Sequence, residues 1–383
     1  MDSPSPNKGV RLNARLWKSS REIKDQTPEM TDKRKDGPLT SSNASKRPRS
    51  TAPSSVAVVN TSVSSGPLIQ AVERSSNLQA PIIQLSGHQG EVYSCRFDGS
   101  GQIIASGSQD KSILLWNVYS ENENFGIIRG HKGAVLDLSF SRDSKQIYSA
   151  SSDATLGVWD VDSGVRIRKH VGHDDVVNSI DSLRRGAELI ASGSDDGSVA
   201  MWDPRTKNPV QYFETDFPIL AVAFGQTGSQ LFSAGIDHEI KVWDIRQQSV
   251  VYTLAGHVDA ITSLNVSEDA QYLVSNSMDS TVRTWDLREF APESRALNVY
   301  QGAPSSNVEK NLLRASFSRD GKQIIAGSAD RTVVIWDTAA SKILYKLPGH
   351  HGSVNDARFS PLEPNVVLSG STDGSLMLGE IRL

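Results

Sequence analysis

An all-β architecture of seven similar units behind a disordered, basic N-terminal tail is what the sequence predicts, and three observations predict it. Gly-His recurs as Gly87-His88, Gly130-His131, Gly172-His173, Gly256-His257 and Gly349-His350. Trp-Asp recurs as Trp159-Asp160, Trp202-Asp203, Trp243-Asp244, Trp285-Asp286 and Trp336-Asp337, with Trp116-Asn117 as a variant. Six residues before each tryptophan stands an aspartate (Asp110, Asp153, Asp196, Asp237, Asp279, Asp330), Asp373 follows in the same context, and the successive intervals are 43, 43, 41, 42, 51 and 43. A fixed period of this size marks stacked supersecondary units, so the 383-residue length, which alone suggests two domains, does not decide the domain count.

The tail, residues 1–76, holds 15 serines and seven prolines and has no sustained apolar period. Such a segment buries too little surface to offset the entropy of ordering it, and disorder is expected. The net charge of −4 hides an asymmetry: residues 1–80 carry 13 Lys/Arg against 7 Asp/Glu, residues 81–383 carry 27 against 37, a +6 tail on a −10 body. Lys33-Arg34-Lys35 and Lys46-Arg47-Pro48-Arg49 are spaced like a bipartite nuclear-import signal, with Ser41, Ser42, Ser45 and Ser50 as sites where phosphorylation would oppose that charge. The single cysteine, Cys95, excludes an intramolecular disulfide framework and is expected to be packed and inert. No run of 18 uncharged apolar residues and no signal-peptide stretch is present, so a soluble intracellular chain is expected.

Each unit reads as four short strands. In the second, Val135, Leu138 and Phe140 mark a first strand, Gln146 to Ser151 a second, Thr155 to Trp159 a third and Val165 to His170 a fourth, joined by Asp/Ser/Gly turns suited to an antiparallel sheet. The period and the Gly-His…Trp-Asp signature resemble the WD40 repeat, and the resemblance implies a seven-bladed WD40 β-propeller over residues 77–383. It further implies that residues 81–86 close the ring by pairing with the last blade, residues 353–381, which lacks a fourth strand of its own.

In that family the histidine, aspartate, a hydroxyl and the tryptophan form a buried hydrogen-bonded tetrad. The matching sets are His88, Ser106, Asp110 and Trp116; His131, Ser149, Asp153 and Trp159; His173, Ser192, Asp196 and Trp202; and His257, Ser275, Asp279 and Trp285. A structural use of these residues is therefore expected, not catalysis. His170, His238 and His351 fall at different positions in their units, and no phosphate-cradling loop, nucleophile elbow or zinc motif occurs, so neither metal nor cofactor is expected. Three units depart from the pattern. The fourth has Thr215 for the histidine, the sixth has Ala326 for the serine and extra residues from Gln301 to Asn311, and the seventh has Gly379 for the tryptophan.

The same resemblance places three positions per blade on the narrower ring surface. The candidates for a protein-binding face are Glu91, Tyr93, Gln109, Leu136, Asn178, Asp195, Ile236 and Met278, with protein a better match than nucleic acid for an acidic body. A rival motif is Trp-Asp-x-Arg at Arg205, Arg246 and Arg288, similar to that of substrate receptors of cullin-four ubiquitin ligases. The runs 77–97, 113–119, 290–295, 309–337, 343–355 and 377–381 resemble the WD-repeat proteins of the spliceosomal U5 particle, including the irregular sixth and seventh units. That implies a nuclear, non-enzymatic scaffold in pre-mRNA splicing. It would be a monomeric subunit docked on the largest U5 protein, pre-mRNA-processing factor eight, with any RNA contact indirect or minor.

Overall fold

The computed structural model describes residues 76–119, 124–292, 294–306 and 311–382. All their regular structure is β: seven separate four-stranded antiparallel sheets, the blades of a propeller. Blade two shows the plan, with strands Val135–Phe140, Gln146–Ser151, Thr155–Asp160 and Arg166–Val171 paired in that order. Its outer strand starts one residue later than the sequence pattern suggests, because the Asp162-Ser163-Gly164 turn runs on and Gly164, at φ 65, closes it onto Asp160.

The first strands line the ring axis: Val92–Phe97, Val135–Phe140, Val177–Ser182, Ile219–Phe224, Ile261–Val266, Ala315–Phe317 and Val354–Phe359. Each touches the first strand of the next blade, and the last touches Val92–Phe97, so the ring is closed. An innermost strand has a neighbour in its sheet on one side only, which leaves alternate backbone N–H groups pointing at the axis without a ladder partner. At four of the seven junctions side chains of the preceding blade take them up. Asp356 Oδ2 accepts from Cys95 N at 3.1 Å, Asp137 Oδ2 from Ile180 N at 3.0 Å, and the Ser179 and Ser263 hydroxyls from Val222 N at 3.3 Å and Ala315 N at 3.0 Å. One step along the strands, Asp181 Oδ2 accepts from Phe224 N at 2.9 Å and Asn265 Oδ1 from Phe317 N at 3.2 Å.

Apolar side chains fill the space between sheets: each cluster joins neighbouring blades, as where Ile113, Leu115 and Ile128 of blade one meet Leu138, Ile147 and Trp159 of blade two. The seventh blade draws its fourth strand from the other end of the described chain. Ile82–Ser86 pairs antiparallel with Ser375–Glu380, from Ile82 opposite Gly379 to Ser86 opposite Ser375. Only Leu85 of this closing strand is buried, in a cluster that also holds Leu376, Leu378 and Trp116. Leu85 thereby fastens blade seven to blade one. Cys95 is fully buried, donates to Asp356 O at 3.7 Å, and has its thiol pKa pushed up by burial.

Truncating Leu85 to Ala is expected to cost about 2–5 kcal/mol, as for other buried leucines, measured by denaturant unfolding. Deleting residues 82–86 should destabilise further, since two sheet edges then lose their partner. Unchanged unfolding of the deletion would mean that the ring does not depend on this pairing.

Candidate protein-binding face and the blade cores

The four full sets of tetrad residues meet in the structure. In blade one, Trp116 Nε1 donates to Ser106 Oγ at 3.0 Å, Ser106 Oγ lies 2.7 Å from His88 Nε2, and His88 Nδ1 lies 2.9 Å from Asp110 Oδ2. Blades two, three and five repeat it: His131–Asp153 3.2 Å, His173–Asp196 2.9 Å and His257–Asp279 2.9 Å, each histidine 2.7 Å from its serine, with Trp159, Trp202 and Trp285 donating to Ser149, Ser192 and Ser275. In the neutral imidazole, Nδ1–H donates to the carboxylate and Nε2 accepts from the serine hydroxyl, which itself accepts from the indole N–H. Burial drives the His88 pKa down more than Asp110 raises it, and His350 behaves alike. Burial works against the Asp110 carboxylate, yet hydrogen bonds from Ser112, His88 and Gln89 bring it down to about 2. The glycine before each histidine leaves room for the indole: a Cβ on Gly130 would sit 2.7 Å from Trp159 Cη2.

Six of the seven aspartates also hold the turn between the second and third strands, Asp237 being the exception. Asp110 Oδ1 accepts from the Ser112 backbone at 2.9 Å and hydroxyl at 2.6 Å, and the residue after the aspartate is left-handed in all seven blades, from Lys111 (φ 69) to Gly374 (φ 79). This second task accounts for the aspartate in blades six and seven. In blade six Asp330 holds Thr332, and Lys346 Nζ at 2.5 Å stands in for the missing histidine; Trp336 Nε1 donates to the Gln301 carbonyl at 2.9 Å. In blade four Lys241 Nζ lies 2.8 Å from Asp237, Trp243 keeps its bond to Ser233 at 2.8 Å, and Thr215 turns its hydroxyl to the carbonyls of Gly197 and Phe217. Blade seven has no tryptophan but retains His350 between Asp373 (3.3 Å) and Ser369 (2.7 Å).

The proposed face residues divide. Ile236 and Gln109 are exposed, while Met278, Leu136, Asp195, Glu91 and Tyr93 are half-buried, the last two joined by a 2.9 Å hydrogen bond. Asn178 needs correction. It is buried, and its amide donates to Asp195 Oδ1 at 2.6 Å and to Ile219 O at 2.9 Å, so it ties blade three to blade four and presents nothing outward. Among the rival arginines, Arg205 and Arg246 are exposed, but Arg288 is held by Asp286 at 2.5 Å and lies over the Tyr272 ring. Lys33, Arg34, Lys35, Lys46, Arg47 and Arg49 lie outside the described residues.

Seven matches to the family model described as "WD domain, G-beta repeat" cover residues 79–117, 122–160, 164–203, 207–244, 248–286, 299–337 and 341–378. The chain belongs to the WD40 family. It is 49% identical over 318 residues to the U5 small nuclear ribonucleoprotein 40 kDa protein of Homo sapiens, covering 83% of this chain and 88% of that one. The protein of the same name from Dictyostelium discoideum is 44% identical over 316 residues (82% and 88%), and pre-mRNA-splicing factor cwf17 of Schizosaccharomyces pombe 43% over 311 (81% and 91%). One feature of this WD40 ring went unseen in the sequence. Arg314 of blade six reaches across the axis to blade two, with Nη1 2.5 Å from Asp137 Oδ1 and Nη2 3.0 Å from the Leu136 carbonyl. Arg96 also approaches Asp137, at 3.3 Å. Arg314 occupies the irregular blade, and no local spacing signals a contact between residues 177 positions apart.

Replacing Asp279 by Ala is expected to cost about 1–3 kcal/mol for the stranded N–H of buried His257, plus its turn. Asp330→Ala, where an exposed lysine is the partner, should cost at most about 1 kcal/mol plus its turn. Equal losses in chemical denaturation would refute the difference assigned to the histidine. Thermal stability should also fall with pH. The folded pKa values of His88 and His350 lie below the ordinary 6.5, and those of Asp110 and Asp373, the latter also at about 2, lie below 3.8. The unfolded chain therefore binds more protons, and stability is lost first below pH 6.5 and again between about pH 4 and 2. Calorimetry should give a lower melting temperature at pH 5 than at pH 7.5; a flat response over that range would mean that the imidazoles titrate freely in the fold.

Proposed function

We propose that this protein is a nuclear, non-catalytic scaffold of the U5 particle and the spliceosome in pre-mRNA splicing. Residues 77–383 form the docking ring, seated on the largest U5 protein, pre-mRNA-processing factor eight. Residues 1–76 carry the import signal. The observation that carries the reading is the 49% identity to the U5 40 kDa proteins, which extends over most of both chains.

Physical features support it. The tetrad histidines are fixed between an aspartate and a serine inside the blades, which suits them to holding sheets together and leaves them no substrate to reach. A closed ring keeps its surface loops in place before a partner arrives, which lowers the ordering cost of each contact. The −10 charge of residues 81–383 favours protein partners over a phosphate backbone, so RNA contact is indirect.

Affinity purification of the full chain from nuclear extract is expected to recover U5 RNA and the large U5 proteins. Recovery of cullin-four and its adaptor alone would replace this reading with the ligase-receptor one. The double variant Arg205→Ala, Arg246→Ala should leave U5 recovery unchanged.

A further inference from the structure

Three large apolar side chains stand exposed on the loops of blades four and five: Phe217 (48%), Ile236 (45%) and Val258 (77%). Backbone bonds and strand pairing make them one tract. Thr215 N donates to Gly197 O at 2.8 Å and Ile236 N to Pro218 O at 3.3 Å; Glu239, just past Ile236, pairs with Ala255, just before Val258; Met278 N donates to Ala260 O at 2.9 Å, and Val258 N to the Asp279 carboxylate at 3.2 Å. The loops at Gly197, Phe217, Ile236, Val258 and Met278 are thus neighbours in that order, and Ser305 closes the far end by donating to Met278 O at 2.6 Å.

The tract is bordered by acids. Loops entering blades three, four and five contribute exposed Asp174, Asp175, Asp216 and Asp259, and Asp195 sits beside them. The equivalent crossings into blades one, two and seven hold a single glutamate (Glu91), a lysine (Lys132) and no charged side chain but His351. Burial pushes the Asp195 carboxyl up against the hydrogen bond from Asn178, and the nearby Asp175 and Asp196 add to it. Contiguous exposed apolar surface rimmed by charge of one sign marks a docking site whose partner brings the opposite charge.

We infer that the loops of blades three to five dock a segment of a partner protein that carries apolar side chains flanked by lysine or arginine. The inference rests on the scaffold role and specifies the chemistry of its partner. The apolar anchors enter between Phe217, Ile236 and Val258, and the cations face Asp174, Asp175, Asp216 and Asp259. The contact weakens with salt, as a charge-guided surface contact does.

Two full-length variants test it, Ile236→Asp with Val258→Asp, and Asp175→Lys with Asp216→Lys. All four positions are on the surface, so melting temperatures should match the wild type. Each pair is expected to lower recovery of U5 proteins about tenfold or more, the loss of one or two anchors at an interface. A photoreactive residue at position 258 should cross-link to a peptide rich in Lys/Arg and apolar residues. The inference is overturned if the wild type recovers U5 proteins and both variants do so equally. It is likewise overturned if the cross-link falls on an acidic segment, on RNA, or on residues 33–49 of this same chain. A wild type that recovers no U5 protein overturns the scaffold role instead, and the cross-linked peptide still decides the partner's chemistry.

Discussion

Seven inner strands turn an edge of unpaired backbone toward one axis, and at four of the seven junctions one blade supplies the acceptor that the next one lacks. Asp137, Ser179, Ser263 and Asp356 accept N–H groups of the following blade that no ladder can reach. Inside the closed ring an unpaired buried amide would cost about 1–3 kcal/mol, and a blade in isolation would leave its apolar faces bare. Stability in this fold therefore belongs to pairs of blades and to closure. That makes the Ile82–Ser86 strand and the Arg314–Asp137 pair, which join parts of the ring far apart in sequence, more consequential than their size suggests.

Within the blades the polar network is a set of tasks and not a fixed list of residues. The carboxylate holds the turn in six of the seven blades and must itself be neutralised. Where histidine is present it does the second task and passes the constraint through serine to the indole. Where it is missing, Lys241 or Lys346 supplies the charge, and the Trp336 indole finds a carbonyl.

Blade four, one of the two blades without the histidine, also carries Phe217 and Ile236 on its surface. Thr215, in the histidine position, uses its hydroxyl to hold the Gly197 and Phe217 carbonyls, and Phe217 two residues on is exposed. Departure from the repeat and exposure of apolar surface coincide in this blade.

The sequence by itself determined the strand count, the blade pattern and the four tetrads, because each of these repeats at a spacing set by one hairpin. His88, Ser106, Asp110 and Trp116 are legible as a group since turn and register fix their distances within a single sheet. Asp330 and Asp237 were legible as turn residues, but their lysine partners were not, since no repeat marks them. Only the tertiary structure decided that Asn178 is an internal tie, that Arg314 spans the axis and that Phe217 and Val258 lie beside Ile236. Each depends on which blades face one another, and that is settled when the chain closes its ring, at a range no local spacing encodes.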